Sequence, residues 1–231
     1  MRYVESIKTS SVYDIAIKTP ITQAKALSDR LGNAIYLKRE DLQPVFSFKL
    51  RGAYQKISSL SEIDKQKGII AASAGNHAQG VALSAQKLGI EATIVMPKTT
   101  PDIKVESVRN MGATAVLEGD TYDEAYHHAK QLEAKLGLTF ISPYDDPDVI
   151  AGQGTVGKEI VEQFDPTTLD AIFVPVGGGG LIAGVAVYVK SLYPNIKIIG
   201  VEPEDAACMS VALKAKERII LPTVEIGRAH V

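Results

Sequence analysis

Short β-branched runs alternate with longer amphipathic segments along almost the whole chain, and this alternation limits the possible folds more than any other feature. Strands that alternate with helices form mostly parallel sheets covered by helices on both faces, with ligands bound at the carboxyl ends of the strands. The sequence therefore predicts an α/β fold. The predicted strands are Ala34–Lys38, Ile69–Ser73, Ala92–Met96, Ala113–Leu117, Leu138–Ser142, Ala171–Val176 and Ile196–Glu202.

The ends of several helices can be read from capping residues. A helix is predicted to begin at Thr19-Pro20, because proline suits the first helical position, and Gly32 lies just beyond its expected end. Thr121 and Glu124 have the spacing of a capping box, in which each side chain bonds the backbone of the other residue.

Composition excludes several classes of function. The 231 residues carry a net charge of only −2 and no long basic run, which disfavours nucleic-acid binding. No apolar run reaches the length of a membrane span, and the N-terminus MRYVESIKTS lacks the apolar segment of a secretory signal. A single cysteine, Cys208, excludes a disulfide framework. A cytoplasmic protein without a membrane or nucleic-acid partner is predicted.

Residues 152–158, GQGTVGK, match two nucleotide-binding patterns, G-x-G-x-x-G and G-x-x-x-x-G-K. Both patterns require a strand directly before them, whereas this stretch already has a helical pattern. Glu159 also stands where a phosphate loop carries serine or threonine for magnesium. Nucleotide binding is therefore disfavoured, although it stays an alternative.

A second glycine run, Gly177–Gly180, follows a predicted strand directly and precedes an apolar helix. Residues without side chains at such a junction expose successive backbone N–H groups, which is the geometry of an anion site. The alternative is a flexible turn, but four glycines lose more conformational entropy on folding than a plain connection requires. No phosphate-loop lysine follows, so a cofactor monophosphate is favoured over a triphosphate.

Residues 73–80, SAGNHAQG, join another predicted strand to a helix. Backbone N–H groups and the side chains of Ser73 and Asn76 could converge there on a carboxylate. The alternative is an ordinary helix cap with an incidental histidine, and the pattern does not decide between the two. His77 is more typical of a structural hydrogen-bond donor than of a base.

Lys49 lies in the segment PVFSFKLRGAY, where it follows Phe48 and is predicted to open a helix with an apolar face. Most lysines are solvated surface charges. Apolar surroundings would lower the pKa of the amine and expose its lone pair for chemistry. The segment alone leaves both interpretations open.

Together and in this order, FSFKLRGAY, SAGNHAQG and VPVGGGGLIAG resemble the pyridoxal-phosphate enzymes of the tryptophan-synthase-β type, and most closely the biosynthetic threonine dehydratases. The resemblance runs from about Val12 to Val224. It implies fold type II, with two open, twisted, mostly parallel sheets flanked by helices. It also implies a large cofactor domain formed by residues 1–67 and 146–224, and a small α/β domain formed by residues 68–145.

The resemblance assigns a role to each motif residue. Lys49 would be the catalytic amine and would bind pyridoxal 5'-phosphate through a Schiff base. Phe48 would lie against the cofactor, Asn76 would hydrogen-bond its ring 3-oxygen, and the glycine loop with Leu181 would hold its phosphate. The implied phosphate-binding residues are Gly177, Gly178, Gly179, Gly180 and Leu181, and the implied substrate-binding residues are Ser73, Ala74, Gly75, Asn76 and His77.

The implied reaction converts L-threonine, and by the same route serine, to a 2-oxo acid and ammonia. For threonine the product is 2-oxobutanoate, in the first step of isoleucine biosynthesis. The alternatives are a catabolic serine/threonine dehydratase and a non-catalytic cofactor-binding fragment. The full-length family implies a homotetramer.

Three departures from related sequences narrow the interpretation. Ala74 stands where the similar serine racemases carry an acid/base serine, which disfavours racemisation. Glu202 and Ala206 match two of their metal ligands, but Cys208 replaces the aspartate, so no metal site is predicted. The last seven residues, EIGRAHV, show a pattern typical of neither a strand nor a helix, and they are predicted to be a non-native tail at 225–231. The large domain would then be incomplete.

Overall fold

A computed structural model describes residues 2–217 and residue 219, and these form an α/β fold, as predicted. The helices are α1 Arg2–Lys8, α2 Lys25–Leu31, α3 Lys49–Ser58, α4 Glu62–Lys67, α5 Asn76–Leu88, α6 Asp102–Asn110, α7 Tyr122–Leu136, α8 Pro147–Gln163, α9 Gly180–Leu192 and α10 Cys208–Ala215. The strands are β1 Ile21–Gln23, β2 Tyr36–Lys38, β3 Ile69–Ala72, β4 Ala92–Met96, β5 Thr114–Leu117, β6 Thr139–Phe140, β7 Ala171–Pro175 and β8 Lys197–Val201.

A four-stranded parallel sheet in the order β5-β4-β3-β6 organises the middle of the chain. Strand β3 is buried along its whole length, as expected for a central parallel strand covered on both faces. Its alternate residues face different helices. Ile69 packs in a cluster with Val81 of α5, whereas Ile70 packs in a cluster with Ala125 of α7. The carboxyl end of β3 leads directly into the 73–77 loop.

In the rest of the described chain, α8 packs against α1, α3 and α9. Strands β7 and β8 form a parallel pair, and β1 and β2 form an antiparallel pair. Val156 and Ile160 of α8 belong to the same apolar cluster as Val174 of β7 and Val185 of α9. Because β7 runs directly into the second glycine run, this cluster fixes where that loop begins.

Several local predictions are confirmed. Thr121 and Glu124 form a complete capping box at the start of α7. The predicted bounds of β4 are those observed, and α3 begins at Lys49. Residues 152–158 lie within α8, so they do not form a loop after a strand.

The helix predicted to begin at Thr19-Pro20 is wrong. Ile21–Gln23 instead forms strand β1, and the helix begins only at Lys25. The Thr19 side chain does not cap a helix, because its hydroxyl donates a hydrogen bond to Glu40 at 2.6 Å. A hydrogen bond from this buried hydroxyl to a residue far along the sequence therefore outweighs the local capping preference.

Two further predictions concern the limits of the fold. The predicted tail at 225–231 lies outside the described residues. The division into residues 68–145 and a larger remainder stays a prediction. Across the part of the chain that the structure describes, no helix combines the length and the apolar character that crossing a bilayer requires.

Candidate active site

Lys49 is the first residue of α3, and the turn before it places the side chain in a partly enclosed position. Phe46 adopts a φ of 58°, a left-handed conformation that is rare for a bulky residue. The backbone N–H of Phe46 donates to the Gln43 carbonyl at 2.8 Å, which closes the turn. The Phe46 ring is exposed, whereas Phe48 and Lys49, which follow the turn, line a cavity.

The amine of Lys49 is not a solvated surface charge. Its Nζ donates a hydrogen bond to the Pro143 carbonyl at 2.8 Å and lies 5.7 Å from the centre of the Phe48 ring. Burial lowers the pKa of the Lys49 amine to about 8, because loss of water disfavours its charged form. An appreciable fraction of the amine is therefore neutral and nucleophilic near physiological pH.

The second glycine run lies at the end of β7 and forms the start of α9. Gly179 has a φ of 88°, which is the left-handed conformation that favours glycine, and α9 begins at Gly180. A Cβ on Gly178 would overlap the ring of Tyr144, whereas a Cβ on Gly177 would meet nothing within 4 Å. The loop therefore presents bare backbone at a helix N-terminus, with open space beside its first residue.

Lys49 and the glycine loop line one cavity. This arrangement brings together two motifs that lie more than a hundred residues apart in the sequence. Phe48 and Leu181, both predicted to contact the cofactor, also line it. The full lining is Phe48, Lys49, Pro143, Tyr144, Gln153, Pro175, Gly177, Gly178, Gly179, Gly180 and Leu181.

The 73–77 loop lies beside this cavity but does not line it. Helix α5 approaches α3 closely, because a Cβ on Gly80 would lie 3.1 Å from the backbone of both Lys49 and Leu50. Within the loop, the Gly75 N–H donates to the Ser73 hydroxyl at 3.2 Å, and Asn76 is exposed at the start of α5. The roles predicted for residues 73–77 in substrate and cofactor binding stay predictions.

His77 makes a hydrogen bond of the structural kind that its sequence position favoured. The imidazole is buried, and its Nε2 lies 3.0 Å from the Ile141 carbonyl, to which it donates. Burial and, next, the charge of Lys49 lower the pKa of the His77 imidazole to about 4. A neutral histidine with this bond holds a neighbouring segment in place, and it is poorly suited to act as a base.

Residues 141–144, which we call the strap, contact all three motifs. The Ile141 carbonyl accepts from His77, and the Pro143 carbonyl accepts from Lys49. Tyr144 packs against the glycine loop, where a Cβ on Gly180 would lie 2.9 Å from its carbonyl oxygen. No residue type in the strap predicted a chemical role, and its first two residues lie at the end of the predicted strand Leu138–Ser142.

The cavity suits a planar aromatic aldehyde that carries a phosphate. Bare N–H groups at the start of α9 can bind the phosphate, and the partly neutral Lys49 amine can react with the aldehyde. The rings of Phe48 and Tyr144 supply apolar walls. Pyridoxal phosphate has all three of these features, so the residues present fit it.

Glu202 is engaged by the backbone of α10. Its two carboxylate oxygens accept hydrogen bonds from the N–H groups of Met209 and Ser210 at 2.8 and 2.9 Å. Among the described residues, no group of three His, Cys, Asp or Glu side chains is arranged to hold a metal ion. The expected absence of a metal site stays a prediction.

Comparison with known proteins points to one family. The family described as "Pyridoxal-phosphate dependent enzyme" matches residues 12–228. The chain is 62% identical over 224 residues to "Threonine dehydratase biosynthetic, chloroplastic" of Arabidopsis thaliana, and 54% identical over 222 residues to "L-threonine dehydratase biosynthetic IlvA" of Pasteurella multocida. These alignments cover 97% and 96% of this chain but only 38% and 43% of the two relatives.

Solved structures agree with the sequence relatives. The processed form of threonine deaminase isoform 2 from Solanum lycopersicum has a TM-score of 0.94 and 55% identity, over 97% of this chain and 65% of that chain. Maize serine racemase has a TM-score of 0.91 and 33% identity, over 96% of this chain and 67% of that chain. The described fold is therefore shared by enzymes that are named for different activities.

Proposed function

Because the chain belongs to the family of pyridoxal-phosphate dependent enzymes, we propose that it carries the catalytic residues of a threonine dehydratase. The reaction converts L-threonine to 2-oxobutanoate and ammonia, because the water lost on dehydration is taken up again when the imine product is hydrolysed, and it is the first step of isoleucine biosynthesis. The identity of 62% to a relative with that printed activity supports this proposal over other activities of the family. The predicted type II fold of that family is confirmed by the matching structures.

The observation that carries the proposal is the position of Lys49. Its amine lies in the same cavity as the bare backbone of Gly177–Gly180, and burial lowers the pKa of that amine to about 8. A phosphate held at the start of α9 would leave the rest of the cofactor facing the amine. Neither feature alone would distinguish this cavity from an ordinary loop contact.

Bound pyridoxal phosphate supplies an aldehyde that captures amines and a ring that withdraws electrons from the substrate carbon. The protein supplies the proton transfers and the orientation. A neutral Lys49 Nζ can take the proton from the substrate Cα, and the lowered pKa allows this near physiological pH. The Pro143 carbonyl, 2.8 Å from Nζ, restrains the amine within the cavity.

The substrate carboxylate is assigned to the 73–77 loop. We propose that the N–H groups at the start of α5 and the hydroxyl of Ser73 bind it, since a helix N-terminus attracts negative charge. We propose that Asn76, which is exposed at the start of α5, hydrogen-bonds the cofactor ring. The backbone at Gly80 contacts the first turn of α3, so this loop and Lys49 are held close together.

Serine is the competing substrate, and a catabolic serine/threonine dehydratase is the second candidate function. The printed names of the relatives from Arabidopsis thaliana and Pasteurella multocida favour threonine and a biosynthetic role. Racemisation is disfavoured by Ala74, whose methyl group has no proton to donate to the substrate. Rates measured on both substrates, with product identified as 2-oxobutanoate or pyruvate, distinguish the two dehydratases.

The direct test compares two lysine variants of α3. Lys49→Ala should lower the rate of 2-oxobutanoate formation by about 10²-fold to 10⁴-fold, the usual contribution of a general base. Lys56→Gln is the matched control, because Lys56 lies on the same helix but pairs with Asp146 and does not line the cavity. Equal rates in the Lys49→Ala variant and the unchanged chain would reject the proposal. A chain that binds the cofactor but forms no product would support the non-catalytic alternative.

The proposal extends to organisation and location. We propose that residues 68–145 are a small domain, supported by the self-contained parallel sheet of β3 to β6. A homotetramer and a cytoplasmic location are proposed from the family resemblance. Sedimentation and fractionation test these two points. The name of the Arabidopsis thaliana relative places that protein in the chloroplast.

A further inference from the structure

Helix α8 packs between α3 and α9, the two helices whose first residues line the cavity. On one side it contacts α3, whose first residue is Lys49, and on the other side it contacts α9, whose first turn belongs to the glycine loop. Both contacts are unusually close. A Cβ on Gly152 would lie 2.5 Å from the Arg51 carbonyl oxygen, and a Cβ on Gly184 would lie 2.6 Å from the Gly154 nitrogen. The thickness of α8 therefore sets the distance between the amine and the phosphate cradle.

Close contact between glycines sets a distance but does not fix rotation. The Gln153 side chain of α8 accepts a hydrogen bond from the Gly52 N–H at 3.3 Å, but the glycines beside it offer few ridges to interlock the two helices. A turn of α3 about its own axis would swing Lys49 out of the cavity. Directional interactions between longer side chains of the two helices can fix their register.

A closed group of buried charges occupies the position where such an interaction is needed. Arg51 lies two residues after Lys49, about 200° around the helix, so it faces away from the cavity. Its side chain is fully buried. Each of its five N–H donors has an acceptor. These are both oxygens of Glu40 at 2.7 and 2.8 Å, Glu159 at 2.6 Å, Thr155 at 3.1 Å and the Ile17 carbonyl at 3.3 Å.

Lys38 completes the group. Its Nζ donates to the second oxygen of Glu159 at 2.5 Å, to the Thr19 carbonyl at 2.6 Å and to Gln163 at 2.8 Å. All three of its donors are therefore used. The two positive and two negative side chains balance one another, and we call them the ion cluster: Lys38, Glu40, Arg51 and Glu159.

We propose that the ion cluster is a positioning device that fixes the register of α3 on α8 and thereby directs the Lys49 amine at the glycine loop. This inference rests on the proposed function of Lys49. A buried ion pair is a weak source of stability, because desolvation opposes its attraction, and its best attested use is to specify register. The planar fork of Arg51 can satisfy Glu40 and Glu159 together in one orientation only, whereas a round ammonium group could not.

The ion cluster also gives a role to the residues that mimic a nucleotide motif. The glycines of GQGTVGK allow α8 to approach α3 and α9, and Glu159, which follows them, receives the Arg51 fork. Glu159 is the residue that departs from a phosphate loop, which would carry serine or threonine there. In this fold, the glutamate that departs from the motif instead binds Arg51 of α3, the helix that begins with Lys49.

The test uses Arg51→Lys in the full chain, which keeps the charge but removes the fork. Lys56→Gln is the control, because Lys56 pairs with Asp146 at 2.8 Å and also joins α3 to the start of α8, but nearer the surface. Two quantities are measured per folded chain. The first is the affinity for pyridoxal phosphate, and the second is the reactivity of Lys49 towards competitive acetylation without cofactor.

Arg51→Lys should weaken cofactor affinity about tenfold or more and should change Lys49 reactivity, because small displacements of a reacting group have effects of this size. Lys56→Gln should leave both quantities within about twofold of the unchanged chain, as expected for a partly exposed pair. Equal affinity and equal reactivity in Arg51→Lys and the unchanged chain would overturn the inference. So would losses that only follow the fraction of unfolded protein.

A second variant keeps the test decisive if Arg51→Lys does not fold. Glu159→Gln keeps the size of the side chain and weakens its bond to Arg51, and the same changes in affinity and reactivity are expected. The proposed function can fail separately. If the unchanged chain forms no cofactor adduct at Lys49, that function is rejected together with this inference. If it forms the adduct equally well in both variants, only the positioning role is rejected.

Discussion

The two glycine-rich stretches of this chain use the same residue in opposite ways. Gly152, Gly154 and Gly157 lie inside α8, where each is buried against a neighbouring helix. Gly177–Gly180 lies where β7 leads into α9, beside a cavity. In the first stretch the missing side chains make room for protein backbone. In the second, open space beside Gly177 makes room for a ligand.

This difference shows why a glycine motif needs its structural context. The first stretch matches two nucleotide-binding patterns by spacing, yet it lies in the middle of a helix whose backbone N–H groups are already bonded. The second matches neither pattern, but it has unpaired N–H groups at a helix N-terminus. The position of the glycines relative to the helix end therefore decides whether they can bind an anion.

The largest effect is expected from Gly152→Ala. The added Cβ would lie 2.5 Å from the Arg51 carbonyl oxygen and 2.7 Å from the Gly52 Cα, so α3 and α8 would have to separate. We expect the free energy of unfolding to fall by about 2 to 3 kcal/mol, as for other overpacked cores. Urea unfolding measures this change. An unchanged midpoint would show that the first stretch is not a packing device.

Gly177→Ala should affect binding and spare stability. A Cβ on Gly177 meets nothing within 4 Å, so the free energy of unfolding should change by no more than about 0.5 kcal/mol. The methyl group would occupy space proposed for the cofactor phosphate. We expect affinity for pyridoxal phosphate to fall about tenfold, equivalent to about 1.4 kcal/mol. A titration followed by absorbance measures it.

The two glycine variants control for each other. Gly152→Ala should lose stability more than it loses cofactor affinity per folded chain, and Gly177→Ala should show the reverse. If Gly177→Ala bound the cofactor as tightly as the unchanged chain, the assignment of the phosphate to this loop would be wrong.

The smallest effect is expected from Lys158→Gln. In a phosphate loop this lysine would reach the nucleotide, but its Nζ lies 4.0 Å from Glu162 and 5.5 Å from the centre of the Tyr13 ring. The change should cost less than about 0.5 kcal/mol of stability and leave cofactor affinity unaltered. Thermal unfolding with and without ATP completes the test. Protection by ATP that Lys158→Gln abolishes would revive the nucleotide-binding alternative.

Much of the fold could be predicted from local patterns. The capping box of α7, the bounds of β4 and the start of α3 depend on residues close in sequence. Strand β1 was missed because its identity depends on pairing with β2 and on the distant bond from Thr19 to Glu40. A capping signal is a local preference, and a buried tertiary hydrogen bond can exceed it.

The site was only partly predictable for the same reason. Lys49 and the glycine loop could be predicted as site residues because a reactive amine and an anion-binding loop require particular residue types, and the structure places both in one cavity. Pro143 and Tyr144 act through a backbone carbonyl and through shape, which many residues can provide. Pro143 lies 94 residues from Lys49 in the sequence, so no spacing rule connects them. Gln153 also lines the cavity, but it lies within GQGTVGK, whose pattern pointed to nucleotide binding and not to this site.

The most direct test of the account is reductive trapping of pyridoxal phosphate on the chain, followed by identification of the modified residue. The chain is mixed with one equivalent of cofactor, reduced with borohydride at a series of pH values, and analysed by peptide mass spectrometry. The account predicts one modified group, on Lys49, whose yield rises as pH increases through about 8, because the neutral amine is the nucleophile. An unmodified Lys49, or adducts spread over several exposed lysines, would contradict it.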